Sequence, residues 1–238
     1  MYQWPLNEIA SMRDAASPKI RSEGVTPMLA CAGLAKSLAD FLTPLYDIAD
    51  GASFFDGTLR IHPMGGTPAH GIPDLIAWND ARGWKRHQPE KANDTFFFCS
   101  NAFGDLFGIP VNPDGSVLQD RIGILWVERY EYQEAVVEWR NLFPRLAGEV
   151  AMAKFFLRLD EYAWAASTLG KPAAEACFSS NVPAVLGGPD SIENVAIQAL
   201  VVHVSFTLQV IRQARQKAEE GAPLGIIELY DENGQLIP

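Results

Sequence analysis

The sequence predicts an α+β fold: a central mixed or antiparallel sheet clasped by helices, with additional helices towards the C-terminus. Three observations point there. Aromatic and β-branched runs separated by turn residues fill the middle of the chain, from Ser53 to Tyr132. Apolar residues recur at helical spacing before Asp50, and the helical period returns after Trp139. With 238 residues, 48% hydrophobic and 20% charged, there is material for a sizeable core. The chain reads as one domain, with an N-terminal extension over 1–27, a core of helix and sheet over 28–132, and a helical second half with a terminal hairpin over 133–238.

The elements follow in order. From Met28 to Asp50, Leu29, Leu34, Leu38, Phe41, Leu42, Leu45 and Ile48 recur at helical spacing, Pro44 starts a second short helix, and Gly51 ends it. Ser53 to Pro63 reads as a hairpin, because Phe54-Phe55 and Thr58 to Ile61 flank the turn-forming pair Asp56-Gly57. The Gly- and Pro-rich stretch from Met64 to Pro73 is a loop, and Asp74 caps a short helix running to Asn79. Thr95 to Ser100 carries aromatic side chains on both faces, which suits a central strand of a sheet covered on both sides. Phe103 to Phe107 continues the sheet, and Val117 to Tyr132 is extended, ending near Glu131. Leu142, Leu146, Val150, Ala153, Phe156, Leu157 and Tyr162 then describe an amphipathic helix, or two joined near Pro144. Ala199 to Glu220 is a helix with Arg212, Arg215 and Lys217 towards its C-terminal end and Gly221 as its stop. The final GIIELYDENGQLIP has the form of a β-hairpin around Glu232-Asn233-Gly234.

Composition excludes several function classes. The longest apolar runs fall far short of the roughly 20 residues of a membrane-spanning helix, and MYQWPLNEIASMRDAAS does not resemble a secretory signal. A cytoplasmic protein is expected. Cys31, Cys99 and Cys177 are widely spaced, and His62, His70, His87 and His203 form no HxxxH or HExxH pattern, so neither a metal nor a redox site is expected. The 29 acidic residues against 19 basic ones give a net charge of -10, which repels nucleic acid and favours a basic partner. The paired glycines Gly65-Gly66 and Gly187-Gly188 lack the Lys-Ser or Lys-Thr of a phosphate loop and read as turns; Asp190 or Ser191 would then cap a following helix.

The stretch FFFCSNAFGDLFGIP raises the question of chemistry most directly. Cysteine catalysis needs a thiolate promoted by a nearby base, and Cys99 follows three phenylalanines, so it is expected on a buried strand where a thiol is inert. Asp105 and Asn101 read as turn residues that bind backbone groups, with Asn101 holding two strands in register. Glu128 and Glu131, three apart in a strand, point to opposite sides and so form no acid-base pair. Among surface candidates for partner binding are Trp84, Arg86, Glu128, Tyr130, Glu131 and Tyr132, because Trp, Tyr and Arg dominate interface hot spots. Trp126 and Trp139 belong to the same set, with core packing the reading for large aromatics generally.

The ordered succession TPLYDIADGASFFDGTLRIHP, IPDLIAWN and FFFCSNAFGDLFGIPVNPDGSV resembles the SUKH superfamily, the Smi/Knr-type domain, over roughly Leu38 to Ile124. The later VPAVLGGPDSIEN is similar to a Pro-x-x-Leu-Gly-Gly signature with a following Asn in some of its members. The matching residues are Gly51, Trp78, Asn79, Asn101, Phe103, Gly104, Asp105, Phe107, Gly115, Gly187, Gly188 and Asn194, all read as structural. The long helical stretch from Trp139 to Glu220 departs from the minimal domain. The resemblance implies a non-enzymatic protein-binding domain without metal or cofactor. Many bacterial members are immunity proteins that neutralise a contact-delivered toxin domain; a regulatory or scaffolding protein is the alternative, and a hydrolase using Cys99 or Asp105 the third.

Overall fold

The computed structural model describes residues 5–13, 34–64, 75–231 and 234–237. Cys31, Gly65-Gly66, His70, Asp74 and the turn residues Glu232 and Asn233 lie outside them. Six strands lie side by side in chain order: β1 Ser53–Phe54, β2 Leu59–Ile61, β3 Thr95–Asn101, β4 Leu106–Pro110, β5 Ile122–Trp126 and β6 Glu131–Ala135. Every neighbouring pair is antiparallel, so of the two sheet types expected the antiparallel one is present. A second, two-stranded antiparallel sheet joins β7 Ala176–Ser180 to β8 Val195–Ala199. The described helices are α1 Leu6–Met12, α2 Lys36–Ala49, α3 Leu75–Trp78, α4 Trp139–Gly148, α5 Val150–Leu157, α6 Leu159–Leu169 and α7 Leu200–Glu219. The fold is α+β.

Strand β3 organises the core. All seven of its residues are buried. Strict alternation would send Phe96 and Phe98 to one face and Phe97 and Cys99 to the other. Instead the register with β4 shifts between Phe97 and Cys99, and this bulge places Cys99 with Phe96 and Phe98 in the larger core. That core is closed by α1, α2, α4 and α5 through Ile9, Phe41, Leu42, Leu45, Phe143 and Phe156. Trp139 is its anchor: its ring centroid lies 4.5 Å from that of Phe98, and its indole Nε1 donates to Gly108 O at 3.2 Å. Phe97 faces the other way, against Trp78, Trp84, Leu106, Leu125 and, on α7, Leu200, Val204 and Leu208. The sheet is therefore covered on both sides, as the aromatic run predicts.

Several elements differ from the sequence reading. The N-terminal extension includes α1, whose Ile9 is fully buried against α2 and α4. Pro44 does not start a second helix, because α2 runs through it; Leu38, Phe41, Leu42, Leu45 and Tyr46 are buried on both sides of the proline, and their packing outweighs one missing backbone hydrogen bond. Pro144 likewise sits inside α4. The breaks in the second half fall at Glu149 and at Arg158, which adopts the left-handed conformation (φ 52°, ψ 49°), giving three helices where one or two were expected. Phe103 to Asp105 is a turn rather than a strand, and Val117 to Tyr132 is interrupted by a 3₁₀ turn at Val127–Arg129. The terminal segment closes through an isolated antiparallel bridge between Tyr230 and Leu236, with no longer strand among the described residues. It runs along α7, where Gln209 exchanges hydrogen bonds of 2.7 and 2.9 Å with the Tyr230 backbone and Lys217 donates to Ile226 O.

The VPAVLGGPDSIEN segment has a clear structural logic. The buried Asn194 amide accepts from Val182 N and donates to Val182 O and Pro189 O, each at 2.9 Å, so one side chain closes the loop that joins β7 to β8. Gly187 supplies a positive φ of 83° there. Gly188 supplies space: a Cβ at that position would lie 1.8 Å from Val182 O. The helix that follows is a single 3₁₀ turn, Ile192–Asn194, with Ser191 at its N-cap position but no side-chain cap hydrogen bond, and it leads into β8. Gly188→Ala should therefore destabilise the protein by about 1–3 kcal/mol, through overpacking against main chain. Urea unfolding would measure it, and a loss no larger than the experimental error would contradict the assignment.

Candidate functional site

The turn between β3 and β4 is built on Asn101. Its Oδ1 accepts from Phe103 N at 2.9 Å and Asp105 N at 3.1 Å, while its Nδ2 donates to Asp105 Oδ2 at 2.9 Å and Phe156 O at 3.1 Å. It thus fixes the two strands in register, as expected, and also ties them to α5. Gly104 has φ 77°, and a Cβ there would fall 2.5 Å from the His203 ring, so both conformation and space call for glycine. Asp105 is buried and accepts from Val127 N at 3.1 Å through Oδ1, holding the start of the 3₁₀ turn after β5. Burial raises its carboxyl above the ordinary value, against the opposing pull of Arg158 and Asn101.

Long-range packing completes this junction. The Arg158 guanidinium lies 3.6 Å from Asp105 Oδ2 and 4.0 Å from the centre of the Phe103 ring. His203 on α7 is fully buried, with Nδ1 2.7 Å from Ser179 Oγ on β7. Its pKa is lowered to about 4, first by burial and then by Arg158, although Glu128 works in the opposite direction. Glu128 accepts from Ser180 N at 2.8 Å, joining the 3₁₀ turn to the second sheet. Cys177 is buried beside Gly104, and burial pushes its thiol above the ordinary range. Arg158, Cys177, Ser179 and His203 escaped sequence reasoning because they are far from Asp105 in the chain and no local spacing connects them.

Chemically, this is a binding junction for the protein's own backbone. Cys99 is fully buried in the apolar core, and burial raises its thiol far above the usual range, which makes a thiolate costly. Among the described residues no three His, Cys, Asp or Glu side chains come together to hold a metal ion. No helix among them is long and apolar enough to cross a membrane.

The other residues that carry the resemblance are also placed in turns and core. Gly51 follows α2 at φ 68°, and Gly115 has φ 78° in the turn after β4. Trp78 is buried, its ring meeting His62 and Trp84. Asn79 clamps the main chain of β3: Oδ1 accepts from Phe97 N and Nδ2 donates to Phe97 O, both at 2.8 Å. Phe107 is fully buried and Phe103 nearly so.

The partner-binding candidates divide. Trp84 is a core residue, only 5% exposed between Trp78 and Phe97, so it offers no ring to a partner; Trp126 and Trp139 are buried too. Tyr132 is half-buried, its hydroxyl 2.7 Å from Thr95 Oγ1, and Tyr130 is half-buried beneath the Arg215 guanidinium at φ 55°. Arg86 is half-buried and donates to Asp231 O. Glu128 and Glu131 do fail to converge, but for a different reason from the one expected: Glu128 lies in a 3₁₀ turn and binds Ser180 N, whereas Glu131 is exposed at the start of β6.

Strand β6 is the end of the six-stranded sheet and pairs only with β5 among the described residues. Its Glu131, Gln133 and Glu134 are exposed, and Val136 just beyond it is 91% exposed. The strand carries no basic residue. An unpaired edge of this kind presents backbone donors and acceptors to solvent, framed here by negative charge.

No protein-family model and no curated protein matches the sequence. The solved structure of Atu4351 from Agrobacterium tumefaciens is similar to this chain, with a TM-score of 0.51 and 10% identity over 97% of this chain and 96% of that one. At this identity the likeness is one of fold.

Proposed function

We propose that this chain is a non-enzymatic protein-binding domain of the cytoplasm: an immunity protein that neutralises a bacterial toxin domain. The observation that carries the reading is the acidic edge of the sheet at β6, which pairs only with β5 among the described residues, with Glu131 and Glu134 exposed and Val136 beside them. A basic segment of a partner can add to such an edge by main-chain hydrogen bonds, while the two carboxylates select it and steer its approach. The SUKH resemblance supports the same reading. So does the junction at Asp105, where the polar groups that could have carried chemistry hold backbone instead. The cysteine-hydrolase reading loses its nucleophile to the core, since Cys99 is fully buried.

The test is co-expression with the toxin-like product of the adjacent gene. The wild-type chain is expected to restore growth and to co-purify with that product. The double variant Glu131→Lys with Glu134→Lys should keep its melting temperature yet bind at least about tenfold more weakly, because like charges then face the basic partner. Unchanged binding by the double variant would remove β6 as the docking edge.

A further inference from the structure

A second surface feature runs against the charge of the chain. Between the segment 84–93, Tyr130 and α7 lies a cleft of about 480 Å³, lined by Lys85, Arg86, Gln88, Glu90, Tyr130 and Arg212. That volume lies within the range of small-molecule sites. In a protein of net charge -10, three cations converge here, with Arg215 close by over Tyr130. Among the described residues none of the four takes part in an ion pair; those pairs use other cations.

Among the described residues the hydrogen bonds of these cations go to neutral groups. Lys85 Nζ donates to Thr95 O at 2.8 Å, Arg86 Nη2 to Asp231 O, Arg86 Nε to His87 Nε2 at 2.8 Å, Arg212 Nη1 to Arg86 O, and Arg215 Nη2 to Arg129 O at 2.6 Å. Carbonyl partners orient a cation without neutralising it. The resulting field is felt nearby: His87 is lowered to about 4, by burial first and then by Arg86 and Arg212. Partly buried Lys85 is lowered to about 8, by burial, with Asp94 pulling the other way. Glu90 is the acid in the lining, exposed and unpaired with these cations among the described residues.

We propose that this cleft binds a phosphate group. A guanidinium fork matches two oxygens of a phosphate, and Arg212 is exposed and, among the described residues, held by one Nη1 bond, which leaves the rest of its fork to a ligand. Lys85 adds a point charge, and the Tyr130 ring with the Gln88 amide flanks the space beside the phosphate. The phosphate can be free or carried by a nucleoside. The inference does not rest on the docking edge on β6, which the cleft adjoins through Tyr130, the residue before Glu131.

Isothermal titration calorimetry on the full chain at pH 7 and low ionic strength tests it, with inorganic phosphate and adenosine monophosphate as probes and chloride at matched ionic strength as the blank. Saturable binding with a dissociation constant below about 1 mM is expected for at least one probe. Adenosine monophosphate binding about tenfold tighter than phosphate identifies the nucleotide as the source; equal affinities identify free phosphate. Arg212→Gln should weaken binding by about tenfold, whereas Arg215→Gln, which removes the same charge outside the lining, should change it by less than about threefold. In the wild-type chain the amide resonances of Lys85, Tyr130 and Arg212 should move together on titration. Absence of saturable binding by both probes, or equal losses in the two variants, would overturn the proposal.

Discussion

Asn101→Leu is expected to destabilise the protein by about 3–5 kcal/mol, because several buried polar groups lose a partner at once, each at about 1–3 kcal/mol. The side chain is fully buried and satisfies four partners: the amides of Phe103 and Asp105, the Asp105 carboxylate, and the Phe156 carbonyl. Leucine fills a similar volume but leaves all four without that partner. The loss should appear as a lower urea midpoint with an unchanged slope, because the transition stays cooperative while the folded state weakens. A loss below about 1 kcal/mol would mean that water satisfies the turn and that Asn101 is not its keystone.

Acidification should be the second large effect. His62 and His203 are both fully buried, with pKa values lowered to about 3 and about 4. Burial is the main cause in each; Arg60 adds to it at His62, and Arg158 at His203, where Glu128 opposes. His62 bonds Ser100 Oγ at 3.0 Å and its ring meets Trp78, so protonation would place a charge in the core. In the unfolded chain both imidazoles take up protons below about pH 6.5. The unfolded state therefore binds more protons than the folded state as pH falls through 6.5, and each histidine removes about 1.4 kcal/mol of stability per pH unit until its folded pKa is reached. Between pH 6.5 and 5.0 the two together should remove about 3 kcal/mol. Asp105 works in the opposite sense, since its raised carboxyl takes up a proton first in the folded state; Asp105→Asn should steepen the decline. Urea unfolding at pH 7.0, 6.0 and 5.0 measures this. A flat profile over that window would contradict neutral buried imidazoles.

Local chemistry made the middle of the chain legible. The run from Thr95 to Ser100 could only be a strand apolar on both faces, and Asp56-Gly57 between two short apolar runs marked the hairpin of β1 and β2. The bulge in β3 was not legible, because the register shift depends on how Phe107 and Gly108 of the next strand seat against it. Strands β7 and β8 escaped notice for a related reason. ACFSS and VAIQA are short, and fourteen residues of loop separate Ser180 from its pairing partner Val195, a closure made by Asn194 rather than by a turn signal. The helix break at Arg158 has no proline or glycine beside it, whereas the one at Glu149 directly follows Gly148. At the candidate site, Asn101, Asp105 and Gly104 were readable from turn chemistry, whereas Arg158, His203 and Ser179 arrive only through folding. Trp84 shows the limit of reading single aromatics: its residue type suits an interface, and its neighbours Trp78 and Phe97 place it in the core.

The function proposed for this chain is the binding of a toxin domain along the acidic edge at β6. The most direct measurement is the affinity of the purified chain for the toxin-like product of the adjacent gene, compared with that of the Glu131→Lys, Glu134→Lys double variant. A stable complex is expected for the wild-type chain, and an affinity at least about tenfold lower for the variant, at equal melting temperature. Absence of any complex with the wild-type chain would contradict the claim.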